Sequence, residues 1–300
     1  MILGTNQLSI SYLGLPNGKI NEIKKISSYS DIFDLIFYLC EINKSLSAKM
    51  VCINVNELEL TSDFLNDTLE EETPEISEII NSIVFLLKRE DMRISFFVGK
   101  DYFLGSQIEE IRKTSIVVIN KISTILDAIG VKYPSIVIRV GSAYGNRKKT
   151  MSDFCSRVLL LDKKAKEKLV VMNDEKPSLF SITDLLSGVY YESGIPICFR
   201  FLPHQFNDGG LSIREALFLA SSTWRIGTKP FFFYSESVEI DQNGKSLSPA
   251  PSSALTRRIP TFGLDCDIII DSPARENCYL NYLKSYRALP PIVINKSPKK

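Results

Sequence analysis

The sequence of 300 residues lacks the usual signs of a zinc or nucleotide site. Its six cysteines form no Cys-x-x-Cys pair and have no histidine at zinc-site spacing, which argues against a structural zinc site. No Gly-x-Gly-x-x-Gly or Walker phosphate loop occurs, so a doubly wound nucleotide-binding sheet has no support. Most cysteines lie in apolar runs, and we expect buried thiols in a reducing compartment.

The chain also lacks a strong charge and a long apolar run. Its formal net charge is +1, so binding to nucleic acid would have to come from a local patch. No run of eighteen apolar residues occurs, and the start at Met1 lacks the basic and apolar regions of a signal peptide. We therefore expect no membrane segment and an intracellular, soluble, cytoplasmic protein. A hydrophobic content of 44% is enough for a large core.

Short apolar runs alternate with segments of helical periodicity. The runs are Lys49–Val55, Met92–Val98, Ser135–Val140, Lys168–Met172, Pro196–Leu202, Pro230–Ser235 and Cys266–Ile270, with Met1–Leu3 or Leu8–Leu13 as an eighth. The helical segments are Ser30–Asn43, Pro74–Leu87, Gln107–Ile129, Thr150–Lys166, Ser181–Tyr191, Ser212–Ser222 and Ala274–Tyr286. This order predicts an α/β fold, a (β/α)8 TIM barrel, as one domain over residues 1–288 with a frayed tail at 289–300.

Two segments are irregular. The acidic stretch Thr61–Thr73 is interpreted as a solvated loop or first helical turn. The stretch Asp241–Pro260, rich in serine and proline, is expected to be a loop at the active face, because it precedes the last strand.

Several motifs occur in a characteristic order. They are N-D-E at 173–175, N-D-G-G-L-S-I-R-E-A-L at 207–217 and T-W at 223–224. The order resembles the ultraviolet damage endonuclease family, metal-dependent DNA repair nucleases on a TIM barrel, and the resemblance extends from about Ile94 to Asp271. It implies metal-activated water attacking a phosphodiester 5′ to a lesion.

Most of the residues that bind metal ions in that family are replaced in this sequence by residues that are not metal ligands. The resemblance places the former metal positions at Phe97, Arg139, Met172, Arg200, Pro203, Phe232 and Asp271. Only Asp271 remains acidic, and Glu57 aligns loosely with a further position. At about 4 Å and an effective dielectric of about 20, each arginine would repel a divalent cation by roughly 8 kcal/mol. We therefore expect no metal cofactor.

Three interpretations of Arg139 and Arg200 remain open. They could pair with Asp271, Asp174 or Glu57 as a structural ion network. They could form a site for a phosphate or another anion at the barrel mouth, because guanidinium groups match phosphate geometry. In the third interpretation, the remaining acidic residues together bind one metal ion. These residues are Glu57, Asp174, Glu175, Glu236 and Asp271.

Other polar and aromatic residues are candidate contacts to a ligand or DNA. They are Lys100, Tyr102, Tyr144, Asn173, Asp174, His204 and Glu236. A structural role is the simpler interpretation for His204, a packing role for Trp224, and the filling of vacated ligand space for Phe232. The lysines at 148–149 and 163–168 are expected on a solvated face, with a DNA-facing stripe as the alternative.

The sequence thus favours a catalytically inactive or impaired homologue, a pseudoenzyme that binds a protein partner, DNA or an anionic ligand. The alternative is an active endonuclease that uses Mn or Zn ions to incise DNA 5′ to ultraviolet photoproducts.

Overall fold

The computed structural model describes residues 9–17, 25–69, 73–99 and 101–286. Eight parallel strands form a barrel: β1 (Ser9–Tyr12), β2 (Met50–Asn54), β3 (Arg93–Phe97), β4 (Ser135–Ile138), β5 (Leu169–Met172), β6 (Ile197–Cys198), β7 (Phe231–Tyr234) and β8 (Asp267–Ile270). Parallel bridges from Leu13 to Cys52 and from Arg200 to Phe233 join the two halves of the barrel. The predicted TIM barrel is confirmed.

Each predicted apolar run contains a strand, and the eighth strand lies within Leu8–Leu13. The other option, Met1–Leu3, lies outside the described residues, as do the proposed domain boundary at 288 and the tail. The strands are buried almost throughout, which explains their continuous apolar character.

Helices surround the strands: α1 (Tyr29–Ser45), α2 (Ser62–Asn66), α3 (Pro74–Glu90), α4 (Glu109–Ala128), α5 (Arg147–Val158), α6 (Lys163–Lys166), α7 (Ile182–Leu185, Leu186–Tyr190 and Tyr191–Ser193), α8 (Phe201–Phe206), α9 (Ile213–Ser222) and α10 (Arg275–Tyr286). A short strand pair, Lys25–Ile26 with Glu59–Leu60, lies outside the barrel. The predicted capping box of α9 is present: the Ser212 hydroxyl accepts from the Glu215 amide, and the Glu215 carboxylate accepts from the Ser212 amide.

Three predicted element boundaries are wrong. The supposed loop Thr61–Thr73 contains α2, because Thr61 caps a turn that buries Phe64. The run Pro196–Leu202 is a strand only at Ile197–Cys198, since the chain turns into α8 at Phe201. The predicted helix Thr150–Lys166 is divided into α5 and α6, where the turn buries Leu161.

The middle section of α7, Leu186–Tyr190, is π-helical. Gly188 lies there against the side chain of Met151 on α5, with no room for a larger residue. Close packing between α7 and α5 therefore accompanies the extra residue in this turn.

The amino-terminal end of the barrel is closed by an ion pair between aromatic rings. Arg93 Nη1 lies 2.7 Å from Asp267 Oδ2, and its guanidinium lies over the rings of Tyr133 and Phe231. Trp224 packs edge-on against Phe231, which agrees with the predicted packing role. The barrel interior is therefore a filled core at this end.

All six cysteines are free and buried, as predicted. Among the described helices, none combines the length and the apolar composition needed to cross a bilayer.

Candidate functional site

Charged side chains meet where the strands end at the carboxyl-terminal face of the barrel. Arg139 follows β4, Asp174 and Glu175 follow β5, Arg200 follows β6 and Asp271 follows β8. We call these five residues the mouth cluster. Parallel strands end at one face of a barrel, so residues distant in sequence converge there.

The two arginines of the mouth cluster lie between three carboxylates. Arg200 Nη2 is 3.4 Å from Asp271 Oδ2, and Arg200 Nη1 is 3.7 Å from Glu175 Oε2. Arg139 Nη1 is 3.5 Å from Asp174 Oδ1 and 4.0 Å from Glu175 Oε2. Glu175 therefore connects the two arginines, and the network runs continuously from Asp174 to Asp271.

The amide side chain of Asn173 holds the backbone of Arg200. Its Oδ1 accepts a 2.7 Å hydrogen bond from the Arg200 amide, and its Nδ2 donates to the Arg200 carbonyl at 3.2 Å. Asn173 is completely buried, so it joins the ends of β5 and β6 and has no access to a ligand. A buried amide with both groups satisfied fixes the position of Arg200 at the mouth.

Burial dominates the electrostatics of Asp174. Its side chain is 2% exposed, and desolvation raises the pKa to about 6 although Arg139 and Arg200 act in the opposite direction. Its Oδ2 has no hydrogen-bond partner. Burial, followed by the nearby charge of Arg200, lowers the pKa of Arg139. The ion pairs therefore compensate the cost of burial only in part.

The positive and negative charges of the mouth cluster nearly cancel. Two guanidinium groups face three carboxylates, which leaves one formal negative charge when every group is ionised. Such a cluster has no surplus positive charge with which to attract a phosphate. The geometry favours the structural ion network over the anion site.

The residues at the mouth do not fit a divalent metal centre. Arginine keeps its charge at working pH, and Arg200 lies beside the same Asp271 that a metal would need. Met172, fully buried at the end of β5, offers a thioether, a poor ligand for hard cations. Within the described ranges, no group of three His, Cys, Asp or Glu side chains is arranged to hold a metal ion.

The expected role of Phe232 in filling vacated ligand space is wrong. Phe97 and Phe233 lie on opposite sides of the barrel, yet their ring centroids are 6.1 Å apart, so both point inward. Side chains alternate along a strand, and Phe232 therefore points outward, where it packs near Phe199. Phe233, with Phe97, fills the interior that the resemblance assigns to Phe232.

Pro203 and His204 lie in α8 and are buried. His204 Nε2 is 3.0 Å from the Leu211 carbonyl oxygen, and its ring packs edge-on against Phe199. Burial lowers the pKa of this histidine. With an exposed fraction of 1%, His204 cannot contact DNA in this conformation, so the structural interpretation is favoured.

Two acids considered at the sequence level have other partners. Glu57 Oε2 lies 3.4 Å from Arg275 Nη2 and accepts from the Leu15 amide, so Glu57 is not the partner of Arg139 or Arg200. Glu236 accepts hydrogen bonds from the amides of Thr256 and Arg257. Both acids therefore brace loops at the mouth. No sequence pattern signals these pairings, because they join distant segments.

Two tyrosines lie at the rim. Tyr144 has a φ of 45° between two positive-φ glycines and is 42% exposed, so the Gly-Ser-Ala-Tyr-Gly turn presents its ring to solvent. Tyr102 is partly buried, and burial raises the pKa of its phenol. Lys100 lies outside the described residues.

Comparisons with known protein sequences match this chain to a family of ultraviolet damage endonucleases. A model described as UV-endonuclease UvdE matches residues 20–294. A UV DNA damage endonuclease from Clostridium perfringens is 27% identical over 152 residues, which is 50% of this chain and 36% of that protein. One from Bacillus cereus strain G9842 is 29% identical over 140 residues, or 46% and 43% of the two chains. The aligned parts span less than half the length of these relatives.

Solved structures agree on the fold. The crystal structure of SacUVDE matches with a TM-score of 0.75 and 21% identity, covering 94% of this chain and all of that one. Endonuclease IV from Thermus thermophilus matches with a TM-score of 0.56 and 13% identity, covering 88% and 96%. At these identities the likeness concerns the fold alone.

Proposed function

This chain belongs to the UV-endonuclease UvdE family, and from that premise we propose that it binds DNA without incising it by metal-dependent hydrolysis. The observation that supports this is the position of Arg200 between Glu175 and Asp271. The carboxylate that remains at a former ligand position is already engaged by a fixed cation. A metal-activated water would need that space and that charge.

The hydrogen bonds that surround the mouth cluster support the proposal that the chain still binds DNA. Asn173 and the capping box of α9 hold in place the segments after β5, after β6 and along α9 that carry the family's motifs. Relatives named UV DNA damage endonuclease point to DNA as the class of ligand. We therefore assign the mouth cluster the structural role of closing a former catalytic centre.

An active metal-dependent endonuclease is the second candidate, and the names of the relatives favour it. It would need Arg139 and Arg200 to leave the mouth before a Mn or Zn ion could enter. The burial of Arg200, with a side chain 13% exposed, argues against this movement.

Incision of ultraviolet-irradiated duplex in the presence of Mn²⁺ separates the two candidates. We expect no cut 5′ to photoproducts above the level given by Asp271→Ala, because Asp271 serves an ion pair. The loss of preorganised charge stabilisation in such a centre lowers rates by about 100-fold or more. Lesion-specific incision that disappears in Asp271→Ala would establish the active endonuclease instead.

A further inference from the structure

A shallow groove runs along the outside of the barrel between α1 and α3. Its volume is about 670 Å³, and Phe37 and Glu41 of α1 line it together with one side of α3. Leu86 is buried at its base, while Phe85 is 59% exposed at its edge. A single exposed apolar side chain is common, so the residues around Phe85 decide which partner could cover the groove.

The outward side of α3 combines an aromatic ring with small and charged residues. Their spacing places them on one side of the helix, and we call them the α3 face: Glu78, Asn81, Ser82, Phe85 and Arg89. The guanidinium of Arg89 lies over the Phe85 ring, with Cζ 5.1 Å from the ring centroid. This contact gives the exposed ring a defined position on the surface.

The α3 face is complementary to itself when it is turned end for end. Glu78 and Arg89 lie equally far from its centre along the helix. Ser82 and Phe85 also lie equally far from that same centre. A two-fold axis through the centre makes two α3 helices antiparallel and sets Glu78 of one copy opposite Arg89 of the other. It also sets the small Ser82 opposite Phe85, so each acid meets a base and each ring meets a space.

The charges around the groove favour a second copy over a strongly charged partner. The α3 face has one acid, Glu78, and one base, Arg89. Among the described residues Glu78 takes part in no ion pair, and Arg89 Nε donates to Glu90 at 2.9 Å in an exposed pair. Across the groove, Glu41 is paired with Lys44 at 3.1 Å. Neither sign of charge is in large excess, so opposite charges on another α3 face are the better match.

We propose that the α3 face is the contact of a homodimer, in which two α3 helices pack antiparallel and each Phe85 enters the groove of the other copy. Burial of the aromatic ring against the apolar base of the groove drives the association. The two symmetric pairs of Glu78 with Arg89 fix the register of the helices. Because α3 begins on the mouth side of the barrel, antiparallel packing points the two mouths in opposite directions. Both mouths stay open, so the dimer is independent of the proposed binding of DNA.

Sedimentation velocity of the full chain over a range of concentrations measures the dimer. We expect the parent chain to pass from monomer to dimer as the concentration rises. Glu78→Arg and Arg89→Glu should each weaken the dimer by about tenfold or more, because each sets like charges opposite one another twice. Phe85→Ser should weaken it by about as much, since no ring then fills the groove. All three positions are exposed, so the variants should fold as the parent chain does.

An equimolar mixture of the two charge variants tests the register. In a mixed dimer the copy with two bases faces the copy with two acids, so both contacts regain opposite charges. The mixture should therefore dimerise much more tightly than either variant alone, and so should the double variant Glu78→Arg with Arg89→Glu. Within one chain the two positions are about 16 Å apart along the helix, too far for this rescue to arise inside a monomer.

The matched control reverses a charge elsewhere on the barrel. Glu192 is exposed on α7, three strands further round, and Glu192→Arg should leave the dimer unchanged. Three results would overturn the proposal: a parent chain that stays monomeric at every concentration, a dimer that Phe85→Ser leaves intact, or a mixture that dimerises no better than its components. Equal weakening by the control variant would do the same. Binding of DNA is measured separately, and its absence would disprove the proposed function while leaving the dimer intact.

Discussion

Arg200 is the residue through which the mouth cluster connects two sides of the barrel. Its guanidinium reaches Glu175 after β5 and Asp271 after β8, while Asn173 holds its backbone from below. An arginine buried in this way without a counter-charge would be costly. Removing one partner of the pair should therefore be worse than removing both.

A double-mutant cycle tests this coupling. Asp271→Ala should lower the free energy of unfolding by about 2–3 kcal/mol, because the side chain of Arg200 loses its shorter ion pair and keeps only Glu175. Adding Arg200→Met should restore part of that loss, measured by urea unfolding. Glu109→Ala in the exposed pair with Lys113 is the control and should change the free energy of unfolding far less, because solvent screens that pair. Additive effects at positions 200 and 271 would mean that the two side chains are not coupled.

Asp174 makes stability depend on pH in a direction opposite to that of most paired acids. Its pKa in the folded chain is raised from 3.8 to about 6, so the folded state holds the proton more tightly than the unfolded state. The contribution of Asp174 to the free energy of unfolding should be highest below pH 4. It should fall on the order of 2–3 kcal/mol as the pH rises to about 6, then level off.

Asp174→Asn should remove that dependence. The difference in unfolding free energy between the variant and the parent chain, measured in urea from pH 4 to pH 7.5, should shift in favour of the variant as the pH rises. A difference that stays constant over this range would show that folding leaves the pKa of Asp174 unchanged.

The elements show where periodicity is informative and where it is not. Long buried runs such as Ile136–Ile138 on β4 could be placed, because a strand buried on both faces has a continuous apolar pattern. The direction of single side chains on β7 could not be predicted, because its four successive aromatic residues show no alternation of polar and apolar side chains. A shift of one residue in the register exchanges the two faces of the strand. This is why Phe232 was expected inside the barrel where the structure has Phe233.

The connections between elements were the least predictable part. Residues 237–251, which include the first half of the expected loop Asp241–Pro260, form a hairpin that is held by hydrogen bonds from Ser246 to Gln205 on α8 and from Arg257 to Gly244. The same holds for Glu57, whose partner Arg275 begins the last helix. Composition indicated a loop rich in serine and proline, but contacts of this kind depend on the completed barrel.

At the scale of the whole molecule, the motifs predicted more than the composition did. The order of N-D-E, the long α9 motif and T-W indicated both the barrel and the family, and the family is shown by the match over residues 20–294. The convergence of Arg139, Arg200 and Asp271 was implied by the resemblance, which places all three at former metal positions. The part of Glu175 in linking the two arginines required the structure, because Glu175 lies beyond the end of β5, where strand alternation no longer fixes the direction of a side chain.

If the mouth cluster has replaced a metal centre, as proposed above, the purified chain should hold no stoichiometric metal ion. The chain is isolated without chelator, dialysed against Mn²⁺ and then against metal-free buffer, and analysed by plasma mass spectrometry for Mn, Zn and Mg. Because Arg139 and Arg200 would each repel a divalent cation by roughly 8 kcal/mol at about 4 Å, we expect far less than one ion per chain. One tightly bound ion per chain, lost when Asp271 is replaced by alanine, would show that the barrel mouth retains a metal centre.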